Sequence, residues 1–417
     1  MVPPACIWLV CLALPHQAAA ERTRAVEIGS CDANGSGTVT FNRDVMPIVQ
    51  THCQTCHRPG EAAPFSLLTY RQAAKWASDI QLVTEKRIMP PWKAVPGFGE
   101  FRNERRLTDS EIATIAAWVE DGCPEGDRAD LPPPREFPSG GWQLGEPDLV
   151  LSMSEEYEIY ASGRDIYRHF VIPTGLTEDR WVTATEFRSG NPRVAHHAIF
   201  FTDTTGRARR MDADDPQPGF GRRLGFMPRE HIGFWAVGTE PAPLPDGVGM
   251  RLPKGADVVL QVHYHPSGKP ERDRSSLGIY FAKKPVEKEF FFLPVIGWRF
   301  QWPAGDDHIP ATGRLVLPAD IHAISVFPHM HLLGKEFKMT ATLPDESTTP
   351  LVYIREWDFN WQQFYTYQSP LALPKGTRIE VEVEIPEVEA HRLETQKGLI
   401  SASLQRLCEL AAASASE

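Results

Sequence analysis

Between Leu149 and Glu384 the chain is a succession of short apolar and β-branched runs, each cut off by Gly, Pro or charge. The clearest is Ile379-Glu380-Val381-Glu382-Val383-Glu384, where apolar and acidic residues alternate. Successive side chains of a strand point to opposite faces, so this run has one apolar and one acidic face. Similar runs predict strands at Leu149 to Met153, Tyr167 to Pro173, Trp181 to Phe187, His197 to Thr202 and Val258 to Tyr264. Others fall at Leu277 to Phe281, Glu289 to Val295, Arg314 to Pro318, Phe337 to Leu343 and Arg378 to Glu384. Many short strands with no helices between them point to antiparallel β-sandwiches. The span suits two, dividing near Lys284 to Lys288.

The rest of the chain differs in composition. Its 417 residues suit two or three domains, and a net charge of −11 argues against nucleic acid or an anionic membrane as partner. Residues 1–20 read as an export signal, with an apolar run from Ala5 to Leu14 and Ala18-Ala19-Ala20 as cleavage site. The run is too short to span a bilayer, and the mature protein is expected to be soluble, in the periplasm or secreted. Residues 128–147, with Leu131-Pro132-Pro133-Pro134, read as a semi-rigid linker. The expected order is a helical domain at 38–127, the linker, β-domains at 148–285 and 286–385, and an atypical tail at 386–417.

Within the helical domain stands Cys53-Gln54-Thr55-Cys56-His57. Cys-x-x-Cys-His is the attachment signature of c-type haem: two thiols add to the porphyrin, and the adjacent His57 is placed to bind iron. A second Cys-x-x-Cys, which a zinc site would need, is absent from the sequence. Asn42 can cap a helix carrying Val45, Ile48, Val49 and His52. Thr108 with Glu111 makes a capping box for a helix that Gly122 ends. The pattern Leu107-Thr108…Ile112…Trp118…Gly122 resembles the last helix of class I cytochromes c. That resemblance implies a methionine as sixth ligand, and Met89, in a proline-stiffened loop, is the candidate. Cys31 and Cys123 bracket the motif, either as a disulfide or as two unpaired thiols, and Cys408 sits in an Ala/Ser-rich tail.

Three histidine pairs carry the second chemistry: His196-His197, His263-Tyr264-His265 and His329-Met330-His331. Neutral imidazole suits copper and zinc, and a site needs several ligands converging from different segments. The period of two in His329-Met330-His331 puts both rings on one strand face. Adjacent His196 and His197 point to opposite faces of a regular strand. They can share a metal only at a strand end or bulge, which Asn191-Pro192 can supply. His263 at the end of Val258-Val259-Leu260-Gln261-Val262 can provide a third ligand.

Val194-Ala195-His196-His197, Leu260-Gln261-Val262-His263-Tyr264 and Pro328-His329-Met330-His331-Leu332-Leu333-Gly334-Lys335 resemble, in this order, segments of the copper type II, ascorbate-dependent monooxygenases. That family includes the peptidylglycine α-hydroxylating and dopamine β-monooxygenases. The resemblance implies two jelly-roll-like domains facing across an open cleft, each with a copper. It implies an electron-transfer copper on His196, His197 and His263, and an oxygen-binding copper on His329 and His331. His265 is outside the pattern and is expected to be solvated.

The family's methionine ligand to the oxygen-binding copper has no counterpart, since no methionine follows Met339. Met330, Met339 and His391 are poor replacements. The expected function is thus an exported haem–copper monooxygenase acting on a small molecule with dioxygen. Its electrons come from an external donor, an ascorbate-like reductant or another cytochrome. The alternative is a non-catalytic electron-transfer or copper-binding protein with an incomplete oxygen site.

Overall fold

In the computed structural model the described residues are 38–61, 63–137, 141–221, 231–295, 297–299, 309–330, 334–358 and 361–385. The export signal, the 386–417 tail, Cys31, Cys408, His331 and His391 lie outside them. The chain forms two compact units. One is helical and takes the described residues to Trp92 with Asn103–Phe137; the other takes Lys93–Arg102 and the described residues from Gly141 on.

In the helical unit a turn at Phe41–Val45 leads into α1 (Met46–His52), followed by α2 (Tyr70–Lys75), α3 (Ala77–Glu85) and α4 (Asp109–Glu120). Phe41, Val45, Ile48 and Val49 meet Ala77, Ile80, Ile115 and Trp118 in one core. The α4 capping box is present: Thr108 Oγ1 accepts from Glu111 N–H, and the Glu111 carboxylate accepts from Thr108 N–H. Beyond α4, Gly122 takes a φ of 81°, a conformation that costs glycine least.

Asn42 is not a cap. Helical turns begin at Phe41 because that side chain is buried and the N–H groups of Phe41 and Asn42 bond to Pro124 and Glu125 carbonyls. Asn42 Nδ2 instead donates to the Gly126 and Asp127 carbonyls, at 3.3 and 3.0 Å.

The second unit is mostly strand. Its first part holds β1 (Leu149–Ser152), β2 (Tyr157–Ile159), β3 (Ile166–Pro173), β4 (Arg180–Arg188), β5 (Ala195–Asp203), β6 (His231–Ala236), β7 (Val248–Leu252), β8 (Asp257–Tyr264), β9 (Glu271–Asp273), β10 (Ser276–Phe281) and β11 (Lys288–Glu289). Then come β12 (Gly297–Arg299), β13 (Ile309–Val316), β14 (Ile321–Val326), β15 (Glu336–Thr342), β16 (Thr348–Ile354), β17 (Tyr365–Leu373) and β18 (Arg378–Ile385).

A sheet ordered β1-β10-β4-β7-β11 stacks on one ordered β3-β8-β5-β6, with Leu151, Ile172, Val182, Phe200, Ile232, Leu260, Val262 and Ile279 buried between them. In the later part β12-β13-β18-β15-β16 form one sheet and β14-β17 a ribbon.

Three expectations need correction. A helix, α5 (Arg207–Ala213), interrupts the strands. The run from Glu289 to Val295 pairs only through Lys288 and Glu289, in a parallel contact with β7, so the sheet is not wholly antiparallel. Its Phe290-Phe291-Phe292 packs as apolar bulk: Phe290 lies against the sandwich core and Phe292 against Phe364. Finally, Lys93–Arg102, between α3 and α4 in sequence, belongs to the β-unit. Ala94 bridges Ile354, Phe101 bridges Tyr367, and Arg102 N–H donates to Thr366 at 2.7 Å.

No described helix is long and apolar enough to cross a membrane.

Candidate metal centre

The site grows out of strand alternation. Along β8, Val258, Leu260, Val262 and Tyr264 point into the sandwich core. Val259, Gln261 and His263 must then occupy the other face. That outer face is apolar as well: Ile199, Phe201, Phe234 and Val259 form a second cluster, covered by Phe327 and Phe364. An imidazole on this face is therefore buried.

A bulge brings the first pair together. Ala195 pairs with Tyr264 and His197 with His263, so His196 is the extra residue between two successive rungs. A bulged residue leaves the pleat, which lets adjacent side chains share one side. Asn191 anchors the approach, its carbonyl accepting from Val194 and Ala195 N–H. His196 Nδ1 lies 3.1 Å from His197 Nδ1, and His263 Nδ1 lies 3.3 Å from the same atom. A ligand atom from each of the three fits within 4.8 Å of the others. Two nitrogens bound tetrahedrally at about 2.0 Å to one ion stand roughly 3.3 Å apart, so this spacing suits a metal.

Burial keeps the rings neutral. It lowers His196 to about 3, carries His197 well below the usual imidazole range, and lowers His263 against the upward pull of Asp165. Neutral imidazole is the ligating form.

Asp165, just before β3, stands behind His263. One carboxylate oxygen lies 2.9 Å from His263 Nε2, the other 2.8 Å from His265 Nδ1. Burial pushes this carboxyl up, but the bonds from His263 and His265 prevail and hold it well below the ordinary carboxylate range. His265 is accordingly bound to Asp165, which raises its pKa, and its side chain stays largely exposed. Tyr167, opposite His263 on β3, stacks on it at 4.2 Å with the planes 12° apart. Sequence inspection missed Asp165. Only the β3–β8 register, which pairs Ile166 with Tyr264, brings it to the histidines.

His329 follows β14 and is buried, stacked on Phe327 at 5.6 Å. Its Nδ1 contacts the side-chain oxygen of Gln362, a buried residue ahead of β17 that sequence inspection also passed over. Its ring centre is 6.5 Å from that of His197. Beside it, Phe327 packs on Phe234 at 4.4 Å and on Phe364 at 4.7 Å. Its expected co-ligand, His331, lies outside the described residues. Met330 is buried against Gly334, and Met339 is paired in β15.

In the helical unit Cys53, Cys56 and His57 lie in the turn after α1, where Cys56 and His57 N–H both donate to the Cys53 carbonyl. His57 Nδ1 is 3.2 Å from the Phe65 carbonyl, which as acceptor leaves Nε2 as the lone-pair nitrogen. Burial lowers the pKa of His57. Met89 follows α3, half-buried, its N–H bonded to the Val83 carbonyl.

No family model matches the chain. It is similar to DBH-like monooxygenase protein 1 of Gallus gallus, 25% identical over 169 residues, which is 36% of this chain and 27% of that protein. The Homo sapiens protein of the same name is 26% identical over 170 residues, 36% of this chain and 28% of that one. The match thus spans little more than a quarter of these relatives' length. Among solved structures, Sulfolobus Turreted Icosahedral Virus covers 62% of this chain and 98% of its own, at 11% identity and a TM-score of 0.12. An oxalate decarboxylase variant of Bacillus subtilis covers 62% and 80%, at 8% identity and a TM-score of 0.12. The chain is therefore distantly similar to DBH-like monooxygenase proteins over about a third of its length.

Proposed function

We propose that the chain is an exported haem–copper oxidoreductase, a monooxygenase that hydroxylates a C–H bond of a small molecule with dioxygen. The observation that carries this reading is the bulged β5–β8 pairing, which turns the Nδ1 atoms of His196, His197 and His263 toward one another. These residues would hold the electron-transfer copper, and His329 with His331 the oxygen-facing one. Cys53 and Cys56 would carry haem c, with His57 and Met89 on its iron.

Copper supplies one-electron transfer and oxygen activation when bound, and haem supplies the electron relay. The donor set fits: three neutral nitrogens for copper, and two thiols beside an imidazole whose Nδ1 faces a carbonyl for haem. The protein's own part is positional. Asp165 and Tyr167 orient His263, Gln362 orients His329, and the Phe234–Phe327–Phe364 cluster excludes water beside His197 and His329. An ascorbate-like reductant or another cytochrome delivers electrons to the helical unit.

A second reading, an electron carrier or copper-binding protein with one competent copper, is favoured by the lack of any methionine after Met339. Metal and haem analysis with oxygen-uptake assays separates the two. The monooxygenase reading expects one haem and two coppers per chain with reductant-dependent oxygen uptake, and His329→Ala losing one copper and the uptake. One copper per chain and no uptake by the wild type would establish the carrier.

A further inference from the structure

We infer that Asp165 is a positioning residue for the histidine trio, clamped in turn by His265. The inference rests on the copper reading above but goes beyond the ligands themselves. His263 has two ring nitrogens with different neighbours. Nδ1 faces His197 Nδ1 at 3.3 Å, and Nε2 faces the Asp165 carboxylate at 2.9 Å. A carboxylate only accepts hydrogen bonds, so Nε2 must carry the proton and Nδ1 the lone pair. Asp165 thus fixes the tautomer that lets His263 share a metal with His196 and His197. It also fixes the angle of the ring, whose face Tyr167 covers. A carboxylate behind a ligating imidazole makes it a stronger donor.

The carboxylate needs its own anchor because Asp165 lies outside β3, in the irregular segment that follows Gly163. His265 provides it: its Nδ1 lies 2.8 Å from the second oxygen, and its N–H is bonded to the Val194 carbonyl at the approach to β5. One carboxylate therefore ties together the segment before β3, the end of β8 and the entry to the His196 bulge. This gives the otherwise idle member of the His263–His265 pair a function: His263 ligates, and His265 holds the group that aims it.

The test uses the full chain, haem-matured and copper-loaded, as wild type, Asp165→Ala, Asp165→Asn, His265→Ala and His263→Ala. Copper(II) affinity is measured by chelator competition, together with the electron paramagnetic resonance spectrum and the Cu(II)/Cu(I) potential. Thermal unfolding of the metal-free proteins reports on the fold. Asp165→Ala is expected to weaken copper binding by roughly 10- to 100-fold and to alter the spectrum and potential. Asp165→Asn, which keeps a neutral acceptor, should recover part of the loss, and it decides the matter if the alanine variant does not fold. His265→Ala should cost no more than about fivefold, the worth of an exposed ion pair. Asp165 variants with wild-type affinity, spectrum and potential would overturn the clamp, provided His263→Ala loses the copper. If His263→Ala also leaves copper binding untouched, the copper reading falls and the clamp falls with it.

Discussion

His196, His197 and His263 sit on paired strands, whereas His329 sits in the connection between β14 and β15. Register decides the first arrangement: the rung pairing His197 with His263 is continuous with the one pairing Tyr167 with His263. Side-chain packing decides the second, through Phe327, Phe364 and Gln362. A cluster set by strand register thus stands beside a histidine set by side-chain packing.

The largest effect that would test this contrast comes from His263→Ala. It removes a ligand from the middle of the ladder, and copper affinity at the trio should fall by more than the roughly 10- to 100-fold that losing an outer partner costs. Chelator competition measures it. A fall no larger than that of Asp165→Ala would show that His263 is not a ligand.

Acid should weaken the sheet region next. Burial lowers both His169, beside Gln261 on β3, and His231, at the start of β6, to about 4. In the unfolded chain they protonate near 6.5, so between 6.5 and 4 the unfolded state binds more protons and stability falls with falling pH. Going from pH 6.5 to 5 should remove about 3 kcal/mol from these two groups together. His265 runs the other way: its pKa is raised, so its contribution is complete below 6.5 and fades as pH rises. Metal-free thermal unfolding at pH 7 and pH 5 measures the net effect, and an unchanged midpoint would contradict it.

The smallest effect belongs to the ring stack. Tyr167→Ala leaves the ladder and every ligand in place and removes one stacked face from His263. An aromatic contact of this kind is worth about 0.5–1.5 kcal/mol, so copper affinity should change by no more than roughly tenfold. A larger loss would mean that the ladder alone does not fix the ring.

How far the sequence could be read follows the same division. β3, β4, β5, β8 and β18 were located to within two residues at either end: alternation marks β18, whereas β5 and β8, buried on both faces, are marked as short apolar runs. The clash between adjacent histidines and a regular strand, with Asn191-Pro192 upstream, marked the irregularity that the β5 bulge represents. Asp165 and Gln362 carried no such mark, since each depends on which strands pair and not on its own neighbours. α5 lacks an apolar stripe, with Arg207, Arg209, Arg210 and Asp212 in seven residues. β14 and β17 went unrecognised because their burial does not alternate. The Lys93–Arg102 excursion into the β-unit depends on pairing with Ile354, Thr366 and Tyr367, far downstream in the chain.

The most direct measurement is X-ray absorption at the copper edge on the His329→Ala protein, where only the strand-borne trio remains to bind. One copper per chain with three imidazole nitrogens in its shell is the predicted result. A copper-free protein, or a shell with fewer than three imidazoles, would contradict the assignment of His196, His197 and His263 as one site.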